Sequence, residues 1–317
     1  MKIGDRNSRF FYASASQWRR SKWISKLKRD SNGVCVDTLA GIKRIIEDHF
    51  TDIFNLRGQR NFSEPLDIVD PVVTAEMNEN LLKPISSEEV KAAIYQLGAL
   101  KAPGLGGFSG IFYSTYWDIV GVDVRCVVNV FFEGKCLRKE LNITNLALIL
   151  KCLNPESFSQ FRTISLCNFI YNSFSKTMAN RLRPFLYFII SPYQLTFVPS
   201  RAIQNNVLVA QEMFHALKLN SSMYNGKLAL KIDLNKAYDH LEWDFLAAIL
   251  RKMGFTDKWI DLTMQCVSTV HFNIMVKIFA KYVRGGALGK ETRSPHICSY
   301  LLKRFSRKPS LEPCVKE

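Results

Sequence analysis

The stretch Lys227–Trp243, KLALKIDLNKAYDHLEW, constrains this chain more than any other. Leu228, Leu230, Ile232 and Leu234 recur at the period of two expected of a strand with one buried face. Lys231 and Asp233 fall on the opposite face, and the pattern then passes directly into a helix. Asp233 therefore ends a rigid element and points away from the apolar layer. A metal-binding carboxylate has to be held in this way, because catalytic geometry tolerates little slack. A solvated aspartate capping the next helix gives the same local pattern, and the segment alone leaves both readings open.

Charge narrows the class of partner. The 317 residues carry a formal net charge of +15, which points to an anionic partner, nucleic acid first. A merely basic soluble protein shares that balance. The 22 phenylalanines would suit base stacking, although most are expected in the core, and 47% hydrophobic residues suffice for one large domain or two smaller ones. Eight scattered cysteines without a CxxC pair argue against a zinc site or disulfide framework and fit a reducing, intracellular compartment. The start MKIGDRNSRFF has no signal-peptide run, and no apolar stretch reaches membrane-spanning length, so no membrane partner is expected.

Residues 1–32 interleave cations with aromatic rings. Arg19, Arg20, Lys22 and Lys26 stand beside Trp18 and Trp23, as if to follow a phosphate backbone, although an amphipathic helix with a solvated basic face fits equally. A short helix is predicted around Ile42–Phe54, and residues 57–75 read as linker. Ser86 and Glu89 form a capping box before the stripe Val90, Ala93, Ile94, Leu97, with Gly98 as the stop. The glycine-rich KAPGLGGFSG of Lys101–Gly110 could cradle a phosphate, but it lacks the GK[ST] of a P-loop. Thr144–Lys151 and Phe161–Leu166 read as short buried strands, and helices are predicted over 168–190 and 203–218. In the second of these Ile203, Val207, Phe214 and Leu217 share a face; Leu241, Phe245, Ile249 and Met253 stripe the helix that ends at Gly254.

The order of segments is more specific than any one of them. KAPGLGGFSGIFY, LNITNLALILK, FRTISLCNFIY, SKTMANRL, QLTFVPSRAIQNNVLVAQEMFH and ALKIDLNKAYDHLEWDFL closely resemble, in this order, the reverse transcriptase of plant non-LTR (LINE-type) retrotransposons. The likeness runs from roughly Met1 to Arg284. It implies an α+β, right-hand polymerase with fingers and a partial, incomplete palm behind a mostly helical N-terminal region. The implied division is 1–75, a basic helical linker or N-terminal extension; 76–285, reverse-transcriptase-like fingers and partial palm; and 286–317, a frameshifted or disordered tail. Such enzymes copy an RNA template from a DNA primer with two Mg²⁺ ions, and a functional one would work in the nucleus. By resemblance Asp233 is the catalytic palm carboxylate and, with the Leu234 carbonyl, a metal ligand. Tyr238 would lie under the sugar, Lys151 and Arg162 would hold the triphosphate, and Arg201 would lie near template or nucleotide.

The departures from the family are local until the end of the chain. The family's K-A-P-G-P-D-G is KAPGLGG, F-R-P-I-S-L is FRTISL, and F-V-P-G-R is FVPSR, where serine in place of glycine at a positive-φ turn costs about 1 kcal/mol. No Asp-Asp pair occurs, no aspartate follows Asp261, and ten Lys/Arg from Lys277 onward face only Glu291, Glu312 and Glu317. One permitted coding of Leu288–Tyr300, read from its third base, translates as R-Q-G-D-P-L-S-P-Y-L-F-L, the family segment missing here. These features predict a truncated, frameshifted reverse-transcriptase fragment that is catalytically dead, with 286–317 unpacked. A non-enzymatic nucleic-acid-binding remnant is the alternative.

Overall fold

The computed structural model describes residues 24, 26–29, 33–54, 61–152, 155–195, 198–219, 241–278, 281–284 and 288–292. Within them the chain is an α+β fold. The helices are α1 Leu39–Phe54, α2 Ser63–Asp67, α3 Ala75–Leu82, α4 Ser87–Gln96, α5 Gly110–Thr115, α6 Trp117–Phe132, α7 Phe169–Leu182, α8 Leu186–Ile189, α9 Ile203–Leu219, α10 Trp243–Lys252 and α11 Asp257–Ser268. The strands are β1 Leu27–Lys28, β2 Cys35–Val36, β3 Ile143–Leu150, β4 Phe161–Leu166, β5 Val270–Ile278, β6 Lys281–Arg284 and β7 Leu288–Thr292.

Short polar side chains set the helix starts. Thr74 Oγ1 accepts from Met77 N at 3.2 Å, Ser86 Oγ from Glu89 N at 3.1 Å, and Asn168 Oδ1 from Ile170 N at 3.1 Å. Each satisfies one of the orphan amides of a first turn. Gly98 (φ 83) and Gly254 (φ 94) follow the ends of α4 and α10 in the left-handed conformation, as the sequence predicts. The helix predicted over 168–190 divides instead. Pro184 cannot donate to a helical ladder, so α7 stops at Leu182 and a 3-10 turn over Arg183–Phe185 leads into α8.

Two cores form. The larger one collects α3–α8, α10 and α11 around Val128, Phe131, Phe174, Met178, Leu246 and Trp259. Phe131 and Phe174 stack there with ring centroids 4.8 Å apart, and the buried Tyr171 hydroxyl donates to Cys266 O at 2.9 Å, tying α7 to α11. Arg181, nearly buried, grips Glu89 through Nε at 2.6 Å and Nη2 at 2.9 Å and also donates to Leu81 O and Pro84 O. One guanidinium thereby joins α3, α4 and α7. The second core packs Ile42, Ile45, Ile46 and Phe50 of α1, with Ile24 and Leu27, against Leu146, Phe161, Phe272 and Ile274 of the sheet. Ile24, Leu27 and α1, expected within a basic helical linker, thus cover one sheet face, and α2 lies inside the stretch expected as linker.

The sheet runs β4-β3-β5-β6, with β7 paired to β5 as well. β3 is antiparallel to β4 and parallel to β5. β3 and β4 occupy the two segments predicted as strands. β5 and β6 carry no clear strand signal in the sequence, because the apolar run of β5 breaks into the basic composition that begins at Lys277. Residues 288–292, expected without packing, pair as β7 with the first half of β5, which offers an edge otherwise left open. The apolar face predicted for α9 is not buried: Val207 is 53% and Phe214 57% exposed, and Leu217 is half-buried. The strand predicted over Leu228–Leu234 lies outside the described residues. No helix among the described residues is long and apolar enough to cross a membrane.

Candidate nucleic-acid interface

The β3–β4 hairpin brings Lys151 and Arg162 together, as the sequence suggests. Ile149 lies opposite Arg162 in the register, and Lys151 follows Ile149 by two residues on the same face. The two cations are therefore diagonal cross-strand neighbours, about 7 Å apart along the sheet. Lys151 directs its Nζ to Ser159 O at 2.8 Å, which holds the stem against the turn. Arg162 is exposed, and among the described residues its guanidinium has no hydrogen-bond or ion-pair partner. Leu146 and Phe161, which belong to the second core, point to the other side of the sheet. The Arg162 face thus carries charge and the α1 face carries the packing.

Arg201 has a different setting from the one expected. Its guanidinium donates to Ser191 O at 2.6 Å, Gln194 O at 2.8 Å, Tyr187 O at 3.1 Å and Ile190 O at 3.2 Å, and it lies over the Tyr187 ring at 5.1 Å. These carbonyls are the orphan acceptors at the end of α8 and in the turn beyond it. The geometry makes Arg201 a clasp for that helix end, with most of its five donors already engaged. Lys26 is also partnered: its Nζ lies 3.4 Å from Glu156, which Lys28 contacts as well. The Lys28 hydrogen bond, then that of Lys26, holds the Glu156 carboxyl below its ordinary range. Asp233, Leu234, Tyr238, Arg19, Arg20 and Lys22 lie outside the described residues.

Two lysines that the sequence does not single out stand on the Arg162 face, Lys101 in the glycine-rich loop and Lys176 in α7. Lys101 and Lys176 both line a cavity walled by Ile164–Cys167 at the end of β4. Each sits in a segment that carries the family resemblance, KAPGLGG and SKTMANRL, but neither is given a role by it. The seating of the first segment has a clear cause. A Cβ on Gly104 would run into the Cys167 carbonyl, so only glycine lets the KAPGLGG loop lie against the β4–α7 junction.

Among the described residues no group of three or more His, Cys, Asp or Glu side chains converges as a metal site would require. The metal donors that the resemblance supplies are one carboxylate and one carbonyl, Asp233 and Leu234. A small divalent ion prefers six oxygens in near-octahedral array, and two ions need bridging carboxylates. That donor set does not fit the two-ion centre.

Comparison with known proteins agrees with the ordered motifs. A Xenopus laevis protein described as "Transposon TX1 uncharacterized 149 kDa protein" is 25% identical over 291 residues, covering 89% of this chain. The chain spans 22% of that relative's length. The profile of the family "Reverse transcriptase (RNA-dependent DNA polymerase)" matches residues 154–312, taking in β4, α7, α9, α10, α11 and the sheet strands after them. The matched range also runs through the segment whose reading frame the sequence puts in question. The chain belongs to the reverse transcriptase family.

Proposed function

We propose that these 317 residues are the fingers and partial palm of a LINE-type retrotransposon reverse transcriptase, which engage nucleic acid but do not polymerise unaided. The observation that carries the second half is compositional: beyond Asp233 the chain supplies no Asp-Asp pair, and beyond Asp261 no aspartate at all. One carboxylate strand cannot hold two divalent ions in register, because each ion repels the other unless bridging carboxylates offset the charge. Family members generally use divalent metal; Mg²⁺ on Asp233 and Leu234 would here be weakly held, and no catalytic step is derived through it. The half-exposed apolar face of α9 supports the same reading, since a helix with that face normally rests on a packed layer. The charge-bearing face of β3–β4 supports the first half.

A shifted frame near Leu288, in a plant-type element, would account for the missing pair, since one permitted coding of Leu288–Tyr300 reads from its third base as the family segment. Sequencing genomic DNA and transcript across codons 275–300 tests this, and a locus that cannot encode the family segment in the neighbouring frame removes it. Function is tested by primer extension on an RNA template with Mg²⁺, using the intact chain and Asp233→Ala. Neither is expected to extend, while both bind single-stranded oligonucleotide equally. Extension by the intact chain that disappears in Asp233→Ala overturns the proposal. Extension gained only on adding a polypeptide that bears the Asp-Asp hairpin would instead make this chain one half of a split polymerase.

A further inference from the structure

A cavity of about 400 Å³ opens between the KAPGLGG loop, the end of β4 and α7. Lys101 and Lys176 line it together with Pro103, Ile164, Phe169 and Asn172, and among the described residues no aspartate or glutamate does. The Lys176 ammonium is held below its ordinary range, first by burial and then by the positive charges of Arg183 and Lys101. Two cations thus share one concavity with the charge of Arg183 acting on Lys176, and among the described residues none of the three has an ion-pair partner. Like charges brought together at a partly desolvated site cost folding free energy. An anion entering the concavity would offset that repulsion.

We infer that this cavity receives a phosphate group of a nucleic-acid strand, held between Lys101 and Lys176. The strand assignment rests on the reverse-transcriptase reading; the anion site stands on the cavity itself. A free nucleoside triphosphate would arrive with a divalent ion, and the described walls offer no carboxylate to share it. A phosphodiester carries one charge and needs no metal. Pro103, Ile164 and Phe169 give it apolar surface for the sugar and base, and Asn172 offers a neutral amide. The site also lies on a path. Arg162 and Ile164 share one face of β4, so the guanidinium is about 7 Å along the strand from the cavity wall, with Lys151 diagonal to it. Arg162 and Lys151 thus share the sheet face on which Ile164 walls the cavity of Lys101 and Lys176.

The test is fluorescence anisotropy with labelled single-stranded RNA and DNA, from low to physiological salt, without metal. The variants are Lys101→Ala/Lys176→Met, the charge-retaining Lys101→Arg/Lys176→Arg, and Lys252→Ala, an exposed lysine of α10 outside the cavity. Loss of two phosphate contacts should lower the slope of log affinity against log salt by about 1.4 and weaken binding about tenfold at physiological salt. The arginine pair and Lys252→Ala should keep the original slope. Unchanged affinity and slope in the Ala/Met variant overturn the cavity while leaving the nucleic-acid reading standing. No binding by the intact chain at any salt overturns that reading and the strand assignment together. In parallel titrations with a nucleoside triphosphate, a loss confined to triphosphate binding overturns the assignment to a strand. Lys176→Met alone should leave the thermal unfolding midpoint unchanged or raise it, since it removes repulsion. A clear drop would make Lys176 a structural residue and overturn the proposal.

Discussion

Replacing Ser200 by glycine should stabilise this protein, and the size of the effect follows from one turn. Arg201 N donates to Val198 O at 3.4 Å across Pro199 and Ser200. Ser200 has φ 64, the only positive φ at a non-glycine among the described residues. Proline at the second position and positive φ at the third define a type II turn, whose third position selects glycine. A residue with a Cβ pays about 1–2 kcal/mol to sit there. Serine recovers none of it, because its hydroxyl makes no hydrogen bond among the described residues. Glycine gives back about 0.5–1 kcal/mol through its freer unfolded chain. The net gain for Ser200→Gly is therefore about 0.5–1 kcal/mol. With a urea m-value of about 2–3 kcal/mol/M, the midpoint should rise by about 0.2–0.5 M at unchanged m. Ser200→Ala is the control: it keeps the Cβ and should leave the midpoint where it is. A neutral or destabilising glycine refutes the reasoning, and so does an alanine variant that gains as much. The turn also aims Arg201 at its four carbonyls, so Ser200→Gly should sharpen protection of the α8 amides from hydrogen exchange.

Three further perturbations probe separate parts of the structure. Arg181→Ala leaves Glu89 half-buried and unpaired and frees the Leu81 and Pro84 carbonyls, so unfolding should become easier by about 3–5 kcal/mol, read from urea denaturation. Gly104→Ala forces a Cβ into the backbone at Cys167, and about 1–3 kcal/mol of stability should go with it; a thermal midpoint equal to that of the unaltered chain would show that the loop is not seated there. The folded Glu156 carboxyl is held below its ordinary range by Lys28 and Lys26, so its contribution is present above the unfolded carboxylate pKa and disappears as pH falls through the lower folded value. Hydrogen exchange of the Lys28 amide, which donates to Glu156 O, should accelerate over that acidic window, and Glu156→Gln should abolish the pH dependence.

Much of the scaffold was legible in the sequence, for local reasons. β3 and β4 announce themselves because each is a short apolar run with polar ends, and their hairpin register then fixes Lys151 beside Arg162. The capping serine Ser86 and the stops at Gly98 and Gly254 depend on residues a few positions away. What escaped depends on long-range packing. Nothing local says that Ile42, Ile46 and Phe50 cover the sheet, since an amphipathic helix does not name its partner. Nor does the composition after Lys277 announce a strand, because the pairing of β6 and β7 is decided by the open edge of β5. The face of α9 that periodicity assigns to a core is left half exposed for the complementary reason: periodicity shows that a face wants cover, and only the fold shows whether cover is supplied.

The same distinction governs the charge. A formal net charge of +15 predicts an anionic partner, but it does not say which cations meet it. Lys26 and Lys28 share Glu156, Arg181 is committed to Glu89, and Arg201 closes a helix end. Each of these looks, in sequence, as ready for a phosphate as any other. The cations left without an intramolecular partner among the described residues include Lys101, Arg162 and Lys176, and the fold sets all three on one side of β4. Their reach toward an anion comes from that juxtaposition, because a partnered cation must break its own contacts before it can bind while an unpartnered one in a concavity gains by doing so. A strand crossing this face would be read by position along β4, which ties the nucleic-acid interface to the register of a single hairpin. Shifting that register by one residue would turn Arg162 to the α1 side and take the interface apart without altering the charge of the chain.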